Sequence, residues 1–431
     1  MFMPRIPGRR SPGGPSLRRR TVTVLAALGI AAGGATLPAT SASATPSPTP
    51  GTVISNQPLA QNQWIPGTAE AYRVTYWSTG PDGNAVETTG SVYVPTGTPP
   101  EGGWPVISWA HGTVGLAPDC APSTTGASAR DMQYLGTWMS KGYAVVASDY
   151  AFVGHPGVMP YLDGTVEAHN VVDMVKAGRN LDKHLSNKWV VIGQSQGGGA
   201  AITTARYATQ FGGPELEYRG AVGTGVPAYI ENIVAAFAPG FPPIALPAGM
   251  TAYGMYILAG LNVSHPELDV PSYLNATGMQ WLQKASTMCL EPFENDIKGT
   301  VLASLLAKPL SGLNANGLLS GYMGVPESGY DKPFFIGQGL KDTDIVMPST
   351  LLFGTRLVAN GQPVTFRTYP TDHSGTMAAS LPDSVPFVQE LFAGQTPAPG
   401  FGSAGGSGSV SGNAGTASAG VVGTLLGSSG S

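Results

Sequence analysis

This chain has little charge, almost no cysteine and no long apolar run. Charged residues occupy only 11% of its 431 positions. The first 44 residues hold six of the 22 Lys and Arg and none of the 26 Asp and Glu, which leaves 16 basic against 26 acidic residues downstream, a net of −10. No basic cluster survives there, which argues against nucleic acid as a partner. It also removes electrostatic attraction to anionic membranes, so contact with a lipid interface would be transient and hydrophobic. Cysteine occurs only as Cys120 and Cys289, neither in a CxxC nor in a metal-like spacing. A transmembrane helix needs about 20 apolar residues, and Gly, Pro or polar residues break every candidate here before that length.

What the chain does have is a marked beginning. Arg5, Arg9, Arg10, Arg18, Arg19 and Arg20 precede the apolar stretch Val22 to Ala32, and Ala42-Ser43-Ala44 follows. This is the pattern of a secretory signal peptide, predicted over residues 1–44, and it predicts a secreted, extracellular protein. The arginine run fits a twin-arginine signal and a merely basic leader equally. Export permits a disulfide between Cys120 and Cys289, with two buried free thiols as the alternative. Residues 45–52 are expected to form a disordered linker, and residues 398–431, mostly Gly, Ser and Ala with no charge, a disordered tail.

Between them, residues 53–397 are long enough for one α/β domain. Tyr72–Trp77 and Val86–Val94 read as a hairpin around Gly80-Pro81-Asp82-Gly83-Asn84. Short apolar runs at 106–110, 144–148, 189–192, 221–223, 334–336 and 364–369 then alternate with helical stretches at 131–140, 166–181, 198–207, 348–359 and 385–392. That alternation predicts a mostly parallel sheet flanked by helices. The interval from about 228 to 331 breaks it. Rich in Pro, Gly, Met and aromatics, it is predicted to be a mainly helical cap inserted between two core strands, either a lid over an acyl pocket or an ordinary packed subdomain.

Chemistry concentrates at Gly193-Gln194-Ser195-Gln196-Gly197, preceded by Trp189-Val190-Val191-Ile192 and followed by an alanine-rich helical stretch. A serine hydroxyl is a weak nucleophile, so a fold that uses one exposes it on a sharp strand-to-helix turn within reach of a base. The two glycines are read as leaving room for that turn. Of six histidines, His373 lies in the loop after the last predicted strand and so emerges at the same sheet edge as Ser195. The base needs a carboxylate to fix its tautomer. Asp342 and Asp344, in the loop after the preceding strand, both qualify. Asp342 is preferred, and Asp344 stays as the alternative. The order Ser195, Asp342, His373 is that of α/β-hydrolases. Two backbone donors are expected to meet the oxyanion: the N–H of Gln196, and that of Thr113, with Gly112 next, in Trp109-Ala110-His111-Gly112-Thr113.

These segments together, the His-Gly-Thr loop, the Ser-Gln-Gly-Gly elbow, Gly-Leu-Lys-Asp-Thr-Asp, Asp-His-Ser-Gly and the long cap, resemble the secretory lipase family of α/β-hydrolases, the lipase A type. The resemblance spans about residues 50 to 395. It implies an esterase or triacylglycerol lipase whose cap controls access, and a disulfide joining Cys120 to Cys289. The segment Ile345-Val346-Met347-Pro348 departs from it, being longer than usual between acid and proline. The expected activity is hydrolysis of lipid or other carboxylic esters through an acyl-enzyme, by a monomer needing no metal or organic cofactor. A polyester depolymerase or short-chain esterase is the alternative, and a catalytically dead binding scaffold the remote one.

Overall fold

Residues 48–242 and 248–404 are described by the computed structural model of the protein. The expected export signal lies outside them, as does the tail beyond residue 404. Among the described residues, the β-branched and aromatic runs form ten strands in one sheet: β1 Val53–Pro58, β2 Thr68–Thr79, β3 Ala85–Pro95, β4 Trp104–Ala110, β5 Ala144–Ala151, β6 Leu185–Gln194, β7 Glu217–Thr224, β8 Phe334–Gly339, β9 Val364–Tyr369 and β10 Gly400–Ser403. Their order is β1-β2-β3-β5-β4-β6-β7-β8-β9-β10. Pairings from β1 to β5 through β2 and β3 are antiparallel, and the rest are parallel.

Twelve α-helices among the described residues connect the strands: α1 Pro122–Thr125, α2 Ala129–Met139, α3 Gly164–Leu181, α4 Gln196–Gly212, α5 Ile230–Ala235, α6 Ala248–Ser264, α7 Ala276–Ala285, α8 Leu290–Ile297, α9 Leu318–Met323, α10 Met347–Ala359, α11 Thr376–Ala379 and α12 Leu381–Phe392. Side chains alternate across a strand, so continuous apolar runs are needed where both faces are covered. In β6, Val190 and Ile192 pack with Trp138 of α2 and Phe387 of α12 on one face. Trp189 and Val191 pack with α3 and α4 residues such as Val172 and Ala201 on the other. This is the α/β-hydrolase fold, and it puts the C-terminal ends of β4, β6, β7, β8 and β9 along one edge.

Between β7 and β8, residues 225–333 carry α5 to α9. Helix α6 is apolar around most of its circumference and buries Met255, Tyr256, Ile257, Leu258 and Leu261. A helix of that kind must be enclosed, and α6 is the centre about which α7 and α8 pack. Its core is continuous with the α3–α4 face of the sheet. The Cys120–Cys289 disulfide, Cα–Cα 5.4 Å, fastens the start of α8 to the loop after β4. Next to it Leu290 N–H donates to the Val114 carbonyl at 2.9 Å.

Two boundaries differ from expectation. The linker expected over 45–52 is structured from its middle: Gly51 N–H donates to Trp77 O at 2.7 Å, and Trp77 N–H to Thr52 O at 3.0 Å. The tail expected from 398 contributes β10, where Phe401 stacks on Phe366 at 4.6 Å. In both places an open sheet edge offers main-chain partners that require no side-chain pattern, and one buried contact suffices to hold the segment.

Candidate active site

Ser195 sits between β6 and α4 at φ 60°, ψ −125°, outside the regions that L-residues normally occupy. The strain is held by its surroundings. Ser195 N–H donates to Thr224 O at 2.9 Å, and Gly199 N–H to Ser195 O at 3.1 Å. A Cβ on Gly193 would collide with the Gly197 carbonyl, and one on Gly197 with the Ala110 carbonyl. Both elbow glycines therefore serve close backbone approach.

His373, after β9, is buried. Its Nδ1 lies 2.7 Å from Asp342 Oδ2. A carboxylate can only accept, so Nδ1 carries the proton and Nε2 keeps a lone pair. Nε2 is buried with no hydrogen-bond partner among the described residues. An orphaned buried nitrogen requires an explanation, and the cleft that His373 shares with Ser195 offers one.

Asp342 is a fixed acceptor. Its Oδ1 receives the N–H groups of Asp344 at 3.0 Å and Ile345 at 2.8 Å, and Gln338 Nε2 donates to Oδ2 at 3.2 Å. Asp344 makes no hydrogen bond to His373. It instead walls the cleft beside Ser195 and Tyr253, and burial, with the Asp344 charge, lifts the Glu294 carboxyl above the usual range. Of the two candidate acids, geometry pairs Asp342 with the histidine.

Thr113 and Gln196 line the two cavities that open at Ser195. The loop after β4 is tied by His111 Nδ1–H to the Gly112 carbonyl at 2.7 Å and by Tyr150 Oη–H to the His111 carbonyl at 3.0 Å. A Cβ on Gly112 would stand 3.5 Å from Ser195 Cβ, which measures how closely this loop approaches the serine. Gln196 is fixed through its side chain, whose Nε2 donates to Glu167 Oε1 at 2.7 Å. Glu167 is 2% exposed. Burial pushes its carboxyl up to about 8, against the lowering effect of the Gln196 hydrogen bond.

From Ser195 the cleft runs two ways. One branch is apolar, encloses about 60 Å³ and lies under the cap, among Leu162, Ile233, Phe237, Met250 and Ile257. The other, about 550 Å³, is more polar and runs past Thr113, Arg130, Asp149 and the disulfide.

Three supports were not legible in the sequence. Gly225 has φ +57°, and a Cβ there would stand 2.8 Å from His373 Cε1. Gln338 holds Asp342 from within β8. Arg130 donates to Gln194 Oε1 at 3.2 Å, binding α2 to the elbow. The positive φ of Gly225 had a faint signal in Thr224-Gly225-Val226 at a strand end. Of the polar supports, Arg130 reaches across the fold to Gln194, whereas Gln338 stands only four residues before Asp342, and neither carried a signal in the sequence.

Residues 120–313 match the family model described as secretory lipase. A search of curated proteins returned no significant match. Among solved structures, lipase A of Candida antarctica is similar at 22% identity and TM-score 0.65, over 81% of this chain and 83% of that one. The rice cell wall degrading esterase LipA of Xanthomonas oryzae, in a ligand-bound form, is similar at 19% identity and TM-score 0.65, over 81% and 100%. A putative hydrolase of Legionella pneumophila is similar at 18% identity and TM-score 0.63, over 79% and 98%. At these identities the solved structures speak for the fold, and the sequence match speaks for the chemistry. The fold is that of the α/β-hydrolases, the matched segment makes the chain similar to secretory lipases, and the chain is a carboxylic ester hydrolase of the lipase and esterase class.

Proposed function

We propose that the chain is a secreted serine hydrolase of lipid esters that works through Ser195, His373 and Asp342. The observation that carries this reading is the unpartnered, buried Nε2 of His373, backed by Asp342 and opening on the cleft of the strained Ser195. Ser195 Oγ attacks the ester carbonyl carbon while its proton passes to His373 Nε2. The resulting oxyanion is met by the N–H groups of Thr113 and Gln196. Collapse breaks the bond to the alcohol, which leaves with the proton from Nε2. Water then gives a proton to Nε2 and attacks the acyl-enzyme, and the acid departs as the proton returns to Ser195.

The apolar branch takes the acyl chain, and the wider polar branch takes the alcohol. The bridge between Cys120 and Cys289 and the name of the matching family support secretion. The acting unit is a monomer, with an ester as its only obligatory partner and a lipid interface as a transient one.

A short-chain esterase is the second reading, and the narrowness of the apolar branch favours it: longer chains require the cap residues Ile233, Phe237 and Met250 to move. Hydrolysis rates across esters from acetyl to oleoyl, and on a triacylglycerol emulsion below and above its solubility limit, separate the two. A rate jump at the interface indicates the lipase, and a preference for acetyl without a jump indicates the esterase. Full activity in Ser195→Ala would overturn both.

A further inference from the structure

The turn Met159–Asp163, between β5 and α3, touches both walls of the cleft and the cap. Tyr161 is buried, and its hydroxyl lies 2.6 Å from Thr113 Oγ1. Leu162, in a left-handed conformation at φ 64°, donates its N–H to Glu167 Oε1 at 3.3 Å. That oxygen also receives Gln196 Nε2 at 2.7 Å. One short segment therefore holds the side chains of the two residues whose N–H groups face the oxyanion in the reading above.

The cap holds this segment in turn. Tyr322 Oη–H of α9 donates to the Tyr161 carbonyl at 2.9 Å. Tyr256 of α6 packs edge-on to the Tyr161 ring at 5.8 Å. Gly260 of α6 passes so close that a Cβ would stand 2.5 Å from Tyr161 N. A left-handed leucine and a glycine-only crossing are restrictive features for a segment whose sole role would be to fill space.

We propose that Tyr161 is a positioning residue for the oxyanion site: through Thr113 it sets where the first backbone donor points, and through Tyr322 it makes that setting depend on the seated cap. This rests on the oxyanion role given above to Thr113 and Gln196. Tyr161 acts through Thr113 and need not touch the reacting atoms. Its hydroxyl stays protonated, because burial raises it far above neutral pH.

A double-mutant cycle on the full chain tests this. Tyr161→Phe and Thr113→Val each remove one hydroxyl of the pair. Complete loss of an oxyanion donor costs about 100- to 1,000-fold in kcat, so a donor displaced but present is expected to cost about tenfold. Each single variant should lose about tenfold in kcat with KM nearly unchanged, on acetyl and octanoyl esters alike, and the double variant should lose little more than either. Tyr322→Phe should lower kcat in the same sense by a smaller factor, and a boronic acid that mimics the tetrahedral intermediate should bind Tyr161→Phe more weakly.

Unchanged kcat in Tyr161→Phe, multiplicative losses in the double variant, or a loss confined to KM for octanoyl esters would each overturn the proposal, the last by reducing Tyr161 to a wall of the acyl branch. Labelling of Ser195 by a fluorophosphonate, run on every variant, separates the two levels of the argument. Labelling with unchanged kcat sinks the Tyr161 role alone, whereas no labelling of the unaltered protein sinks the serine reading and this one with it.

Discussion

Asp342→Asn probes the most constrained atoms of the site. Asp342 Oδ1 accepts two backbone N–H groups, from Asp344 at 3.0 Å and Ile345 at 2.8 Å. In the variant the amide oxygen must keep that place, because the NH₂ group there would face two donors. The NH₂ then points at His373 Nδ1, which stands 2.7 Å from the native Oδ2, and at Gln338 Nε2, 3.2 Å away. Facing a donor, the imidazole must turn Nδ1 into its acceptor and carry its proton on Nε2, the atom that takes the proton of Ser195 in the proposed mechanism. The base is then blocked by tautomer, with its position nearly unchanged. The expected loss is about 10⁴-fold in kcat, or about 5 kcal/mol of transition-state stabilisation.

Steady-state kinetics on a chromogenic butyrate ester read it directly, with serine labelling to count competent sites. Asp344→Asn, which removes a charge from the cleft wall but none from the histidine, should stay within about tenfold of the unaltered protein. Retention of more than about a tenth of the activity by Asp342→Asn, or a greater loss in Asp344→Asn, would refute the assignment and the tautomer argument together.

Gly225→Ala puts a methyl 2.8 Å from His373 Cε1 at a φ of +57°, so kcat should fall at least about a hundredfold while thermal unfolding still reports a folded protein. Loss of the Cys120–Cys289 bridge, in Cys120→Ser or by reductant, opens a loop of 169 residues, and calorimetry should show destabilisation by up to about 5 kcal/mol. Glu167 titrates near 8 in the fold against an ordinary 4.5, so its contribution to stability is complete below pH 4.5 and lost as pH rises toward 8. Urea unfolding of Glu167→Gln at several pH values across that window should show a flatter stability curve, the difference being on the order of a few kcal/mol, and an unchanged slope would count against burial as the cause.

Some features of this protein were set by local physics and others only by assembly. The alternation of apolar runs with helical periods could be read because the central parallel strands bury both faces, which forces an unbroken apolar stretch such as Trp189-Val190-Val191-Ile192. The elbow could be read because Gly193 and Gly197 answer a steric demand within five residues. Strands β1 and β10 could not, since their registration comes from main-chain edges and Val53–Pro58 is largely exposed.

The choice between Asp342 and Asp344 shows the division most sharply. Two residues apart on one loop, they are indistinguishable by residue type. Only the folded loop, with Oδ1 of one closing a turn and Oδ2 aimed at His373, separates them. The sequence by itself determined the fold class and singled out Ser195, His373 and an inserted helical segment as candidates, because each is written in periodicity, spacing or order along the chain. Tertiary structure alone decided which carboxylate faces the histidine, how Gly225 makes room for it, and how the helices between β7 and β8 reach Thr113 through Tyr161, because those contacts join residues far apart in sequence and depend on directions of a few ångströms that no local pattern encodes.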